Sequence, residues 1–194
     1  MKMSKLEKIF VNISAHARNI KVIEQLFGQI DLGNVKKVLE VGCGAGVLSS
    51  YLAEEYKWKV TGIDLDPEQI ERAKKDHREN RYLEFIEADI TKLAFGDNEF
   101  DLVLSFDALH HIPDWDKALN EISRVLRPNG FYVLSDLAFP RFSFFQKWSI
   151  PVDGIINYLK RNNFEIIYEK KPKINIIGNR FSLISQRSPD NYCQ

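Results

Sequence analysis

Between Val38 and Gly46 the chain changes character twice within a few residues. Val38, Leu39 and Val41 form a short aliphatic, β-branched run, the pattern of a parallel strand buried on both faces. Glycines follow at 42, 44 and 46, and Val47-Leu48-Ser49-Ser50-Tyr51-Leu52-Ala53 then takes up a helical pattern. A strand, a glycine turn and a helix start in that order make a ligand-binding turn. Glycine lets the backbone come close to a ligand, and the first N–H groups of the helix lack intrahelical partners.

The spacing narrows the ligand. A dinucleotide fingerprint would put its third glycine at Val47, whereas here it falls one residue early, at Gly46. Glu40 stands two residues before the first glycine, where a carboxylate would repel a pyrophosphate and suit a ligand carrying positive charge. S-adenosylmethionine has that charge, with a sulfonium and an ammonium against one carboxylate and no phosphate. On Glu40 and the Gly-x-Gly-x-Gly of 42–46 the chain resembles the class I S-adenosylmethionine-dependent methyltransferases. Two other readings stay open. One is an NAD-type oxidoreductase, disfavoured by Val47 and Glu40; the other is a regulatory module that binds the cofactor and transfers nothing.

A length of 194 residues suits one domain with a single core. Lys plus Arg total 27 and so do Asp plus Glu, so no net field gathers nucleic acid or an anionic membrane. Cys43 and Cys193 make no disulfide framework, which points to a reducing compartment. Ile9-Phe10-Val11-Asn12-Ile13 is too short and too interrupted for a signal peptide, and no apolar run approaches a membrane span. The expectation is a cytoplasmic protein without membrane insertion, nucleic-acid partner or metal.

Apolar residues from Leu6 to Ile30 recur at steps of three and four, predicting an amphipathic helix, broken near Asn12–Ser14. Lys59 to Leu65 reads as a second strand, with Asp66 and Pro67 opening a helix that runs to about Glu79. Asp66 is thus taken up by capping, which leaves Asp64 at the strand's carboxyl end, where open α/β sheets bind ligands and a carboxylate can accept both ribose hydroxyls. Tyr82–Glu87 alternates as a third strand ending in Ala88-Asp89-Ile90, and Asp89 either serves a ligand or caps its own turn through Thr91. Phe100–Phe106 is the fourth strand. His110 and His111 follow it and are the side chains there suited to proton transfer near neutrality; adjacent residues point apart, so at most one faces a substrate. Packing under the loop competes with chemistry for both. Asp114 opens the next helix, Arg127-Pro128-Asn129-Gly130 stops it, and Phe131–Asp136 is strand five. Phe164–Glu169 and Phe181–Gln186 close the chain as an antiparallel pair.

The resemblance fills in the rest. It implies a doubly wound, mostly parallel seven-stranded α/β sheet in the order 3-2-1-4-5-7-6. It implies a single domain over 1–187, made of a helical cap (1–33), a cofactor-binding core (36–136) and a substrate-side segment (137–187), with a disordered tail at 188–194. Cofactor contacts are expected from Glu40, Gly42, Cys43, Gly44, Gly46, Asp64, Leu65, Asp89, Ile90 and Ser105. The segment after strand four is Ser105-Phe106-Asp107-Ala108 rather than the Asp/Asn-Pro-Pro-Tyr of base-methylating relatives, which favours a small-molecule acceptor. Trp115, Phe142, Phe145 and Trp148 are expected to close, with the leading helix, over an apolar or aromatic acceptor.

Overall fold

The structure, a computed structural model, describes residues 18–138, 151–171 and 179–189. The predicted leading helix survives in it as α1 (18–27); residues 1–17 lie outside the described part, as do Phe142, Phe145 and Trp148. After α1 come β1 (Lys37–Val41), α2 (Val47–Tyr56), β2 (Lys59–Asp64), α3 (Pro67–Asp76) and β3 (Leu83–Glu87). Then follow β4 (Phe100–Phe106), a single 3-10 turn (Leu109–His111), α4 (Trp115–Val125), β5 (Leu126–Ala138), α5 (Val152–Arg161), β6 (Phe164–Lys170) and β7 (Asn179–Arg187).

The strands form one seven-stranded sheet in the order β3-β2-β1-β4-β5-β7-β6, as expected. The first five run parallel, and β7 inserts antiparallel between β5 and β6. The chain winds outward from β1 to β3 and then returns to lay β4 on the other side of β1. Such a reversal opens a crevice at the carboxyl ends of the two central strands.

Alternation along the strands builds a core on each face. Leu39, Val41, Val103 and Leu134 pack with Leu119, Ile122 and Leu159 from α4 and α5. Their neighbours Val38, Leu102, Leu104 and Val133 pack with Ile23, Leu26 and Phe27 of α1 and Leu48 and Leu52 of α2. All seven residues of β4 are buried, including Asp101. That carboxylate accepts the Lys36 and Lys37 amides at 2.9 and 2.8 Å and pairs with Arg127, so its burial fixes the β1–β4 register.

Three local expectations shift. The helix α3 ends at Asp76, short of Glu79. Asp114 precedes α4 without bonding its amides, because its carboxylate takes the Lys117 ammonium at 2.7 Å. Residues Arg127–Gly130 stop α4 and already belong to β5, as an irregular stretch between the Phe100–Leu126 and Leu102–Phe131 pairs. Asn129 turns with a φ of 63°, and a Cβ on Gly130 would lie 2.9 Å from the Asp101 carbonyl oxygen.

Candidate active site

A cavity of about 450 Å³ opens at the crevice, walled by the carboxyl ends of β1 to β4 and the 3-10 turn. Its charged lining is acidic: Asp64, Asp89, Asp107 and Asp114, with no lysine or arginine among the described residues on the wall. The volume suits a small ligand.

Asp64 ends β2 with its carboxylate held in place. One oxygen accepts the Gly44 amide at 2.8 Å and the other the Asp66 amide at 3.0 Å, so the acid is pinned to the glycine turn by neutral donors. Asp66 in turn caps α3 by accepting the Glu68 amide at 2.9 Å. Leu65, 70% exposed, stands on the same wall as an open apolar surface. Across from it lie Ala88, Asp89 and Ile90. Asp89 accepts from the Thr91 amide at 2.9 Å and the Thr91 hydroxyl at 2.8 Å through one oxygen. Those bonds, with Lys92 nearby, hold its carboxyl below the usual range. Asp89 therefore caps its own turn and also reaches the cavity.

The glycine turn is set by the protein before any ligand. A Cβ on Gly42 would sit 2.3 Å from the Ala108 Cβ, so this glycine lets the turn pass close to the end of β4. Gly42 lies on the cavity wall; Gly44 and Gly46 do not. Glu40 is buried, off the wall, and takes the Ser49 hydroxyl of α2 in a short hydrogen bond. Burial pushes its pKa up to about 7. Cys43 is buried too, and burial raises its thiol pKa well out of the reactive range. Ser105 is fully buried within β4 and stays off the wall. Trp115 packs edge-on against Tyr158 of α5 at 6.1 Å, joining two helices rather than facing the cavity.

The two histidines diverge, as adjacent residues must. His111 lines the cavity. His110 turns inward, where its Nδ1 lies 2.6 Å from an oxygen of Asp136, the fully buried acid near the end of β5. The two imidazole rings remain in contact, with centroids 3.9 Å apart.

Sequence reasoning passed over Asp107, Asp136 and three residues grouped on Asp107. Asp107 follows β4 with a φ of 53° and lines the cavity. One of its oxygens pairs with Arg180 of β7; the other accepts from Arg18 at 3.3 Å and Asn19 at 3.2 Å, both from α1. Asn19 is 8% exposed, and its Oδ1 has no partner within the described residues. Asp107 and Asp136 carried the same signal as Asp64, an acid at the carboxyl end of a parallel strand. The partners 73 to 89 positions away had no local signal at all.

Among the described residues no cluster of His, Cys, Asp and Glu is arranged to hold a metal ion, and no helix is long and apolar enough to cross a membrane.

The sheet order, with the glycine turn at its reversal, defines a Rossmann-like α/β domain. Residues 39–134 match the family model described as "Methyltransferase domain", and the chain belongs to that family. It is 37% identical over 135 residues to a fatty-acid O-methyltransferase of Mycolicibacterium smegmatis, covering 68% of this chain and 48% of that protein. It is 40% identical over 120 residues to a phthiotriol/phenolphthiotriol dimycocerosates methyltransferase of Mycobacterium tuberculosis, covering 61% of this chain and 44% of that one. The chain thus spans about half the length of the curated relatives it matches. Among solved structures, a putative sarcosine dimethylglycine methyltransferase from Galdieria sulphuraria superposes with a TM-score of 0.78 at 14% identity, over 89% of this chain and 86% of that one.

Proposed function

We propose that the chain is an S-adenosylmethionine-dependent methyltransferase whose acceptor is a small molecule with an apolar body. The observation that carries this reading is Asp64 on the cavity wall, a carboxylate whose donors among the described residues are backbone amides, whereas Asp89, Asp107 and Asp114 on the same wall are paired with Lys92, Arg180 and Lys117. A pyrophosphate would meet repulsion there, whereas a sulfonium and an ammonium meet attraction. The Asn19 Oδ1 beside Asp107, without a partner among the described residues, is a buried acceptor that a ligand ammonium would satisfy.

Asp64 would accept the ribose hydroxyls, Leu65 and Ile90 would cover the adenine, and Asp89 would take its amino hydrogens. Asp107 and Asn19 would hold the amino-acid end. Glu40 would act through the field it adds behind the turn, since its carboxylate is spent on Ser49. When bound, the cofactor supplies an electrophilic methyl group on a positively charged sulfur. The chain's own contribution is alignment and exclusion of water, effects that can be worth ~7–11 kcal/mol without covalent catalysis. The names of the two mycobacterial relatives support a lipid-like acceptor.

Thermal melting with S-adenosylhomocysteine and, separately, NAD tests the reading. A ligand that binds only the native state raises the melting temperature, so the first should stabilise and the second should not; the reverse pattern would overturn it. Asp64→Ala should weaken S-adenosylhomocysteine binding at least about tenfold in calorimetry, since charge-assisted hydrogen bonds are worth ~1.5–3 kcal/mol. A screen of fatty acids, long-chain alcohols and phenols for S-adenosylhomocysteine release then finds the acceptor.

A further inference from the structure

The connection between β3 and β4, residues 88–99, carries part of the cavity wall, with Ala88, Asp89, Ile90 and Thr91 on it. It forms neither helix nor strand, so its backbone groups need partners elsewhere. At its start the Ala88 amide donates to the Asp64 carbonyl oxygen at 3.0 Å, which ties the segment to the end of β2. Asp89 then accepts the Thr91 amide and hydroxyl, and the Lys92 amide donates to the Asp89 carbonyl oxygen at 3.1 Å. Those bonds close a turn on itself, and such a turn can shift as a body. Its far end is fixed by α4. The Leu93 amide donates to the Glu121 carboxylate at 2.7 Å, and Arg124 donates to the Leu93 carbonyl oxygen at 3.0 Å and the Phe95 carbonyl oxygen at 2.8 Å. The two side chains also hold each other, with Arg124 Nε and Nη2 reaching the two Glu121 oxygens at 2.9 and 2.8 Å, a fork-to-fork pair of stiff geometry. Asp97 accepts a further Arg124 N–H at 2.8 Å. Ile90 and Leu93 bury their side chains in the same core as Leu119 and Ile122 of α4, but apolar contact is non-directional and sets depth rather than orientation.

Glu121 and Arg124 both stand off the cavity wall. We propose that they are positioning residues for the ligand: locked together on α4, they anchor the backbone at Leu93 and Phe95 and so set where Asp89 and Ile90 meet an adenine. The inference rests on the methyltransferase reading and adds to it two residues that act without touching the ligand. The residues leading into α4, Ile112, Pro113 and Asp114, are themselves on the wall. One rigid helix thus carries one stretch of wall at its start and steadies another from its last turns. The Arg124 bonds hold the Glu121 carboxyl below its usual range, so the pair stays ionised near neutrality. A lysine at 124 would not do the same, because an ammonium on a flexible stem lacks the planar fork that serves one carboxylate and two carbonyl oxygens together.

Arg124→Met tests this on the full chain, since it keeps the stem and removes the fork. In hydrogen-exchange mass spectrometry of the ligand-free protein, amides of residues 89–96 should exchange about tenfold faster while β4 keeps its protection. Calorimetry well below the melting temperature should show S-adenosylhomocysteine bound about tenfold more weakly, the effect of misplacing one charge-assisted hydrogen bond. Methylthioadenosine, which carries the same adenosine without the amino-acid end, should lose the same factor. Glu121→Gln keeps the shape and an acceptor oxygen, so it should show the same pattern at about threefold, and it carries the test if Arg124→Met does not fold. Faster exchange with both affinities unchanged would make the pair a structural brace and overturn the proposal. Unchanged exchange would overturn it too, as would a loss confined to S-adenosylhomocysteine, which places the defect at the amino-acid end. Failure of the parent to bind either compound would instead overturn the methyltransferase reading, an outcome distinct from a variant that binds like its parent.

Discussion

Gly46 enters α2 with a φ of 77°, and a Cβ there would lie 2.4 Å from the Phe85 ring and 3.2 Å from the Ala73 Cβ. Gly44 also has a positive φ, 52°, yet a Cβ there would meet nothing closer than the Gln69 Oε1 at 3.9 Å. Gly44→Ala should therefore cost only the left-handed conformation, about 1–2 kcal/mol. Gly46→Ala adds overpacking of about 1–3 kcal/mol, and urea unfolding should rank the two accordingly. Glu40 makes a pH prediction. Its folded pKa is raised by burial from 4.5 to about 7, so folding takes up a proton between those values. The group's contribution is fully present below the lower value and lost as pH rises through the upper one, a change on the order of 3 kcal/mol. Unfolding at pH 5 and pH 8 should show that much less loss in Glu40→Gln than in the parent; equal losses would mean the carboxyl titrates normally. Much at this scale was legible because it is local. Asp66 announced its cap through Pro67, and Asp64 its place through the strand it ends. The glycines also have a packing role that spacing did not show: at positions 42 and 46 a Cβ would run into Ala108 and Phe85.

At the scale of elements, one carboxylate joins three of them. Asp107 holds α1 through Arg18 and Asn19 and β7 through Arg180, while itself lining the cavity. Asp107→Asn keeps the left-handed turn accessible but removes the charge and sets an amide against three donors. Amides of residues 18–27 should then exchange about tenfold faster in hydrogen-exchange mass spectrometry, the equivalent of ~1.4 kcal/mol, while β1 stays protected. Unchanged exchange in α1 would show that its apolar face alone holds it. That face, with Ile23, Leu26 and Phe27, was readable from periodicity; the tether was not, because nothing near Arg180 in the sequence points to Asp107. The Asp114 cap shows the converse limit. Its position was right and its partner was not, since Lys117 competes for the carboxylate.

The whole molecule follows from the reversal between β1 and β4. Apolar runs and glycine turns told where the parallel strands lie, and the family pattern told their order. The pairing of β7 between β5 and β6 is what the sequence alone could not have shown, since alternation along a strand sets its two faces and not its neighbours. That insertion has a consequence for synthesis. Arg180 enters only when β7 docks, so a nascent or truncated chain ending before it already has β1 to β5 but leaves Asp107 with Arg18 as its one guanidinium among the described residues. On the ribosome Asp107 gains this partner only after every described residue of the cavity wall has been made. A half-built sheet would carry the glycine turn long before it had a finished site to go with it.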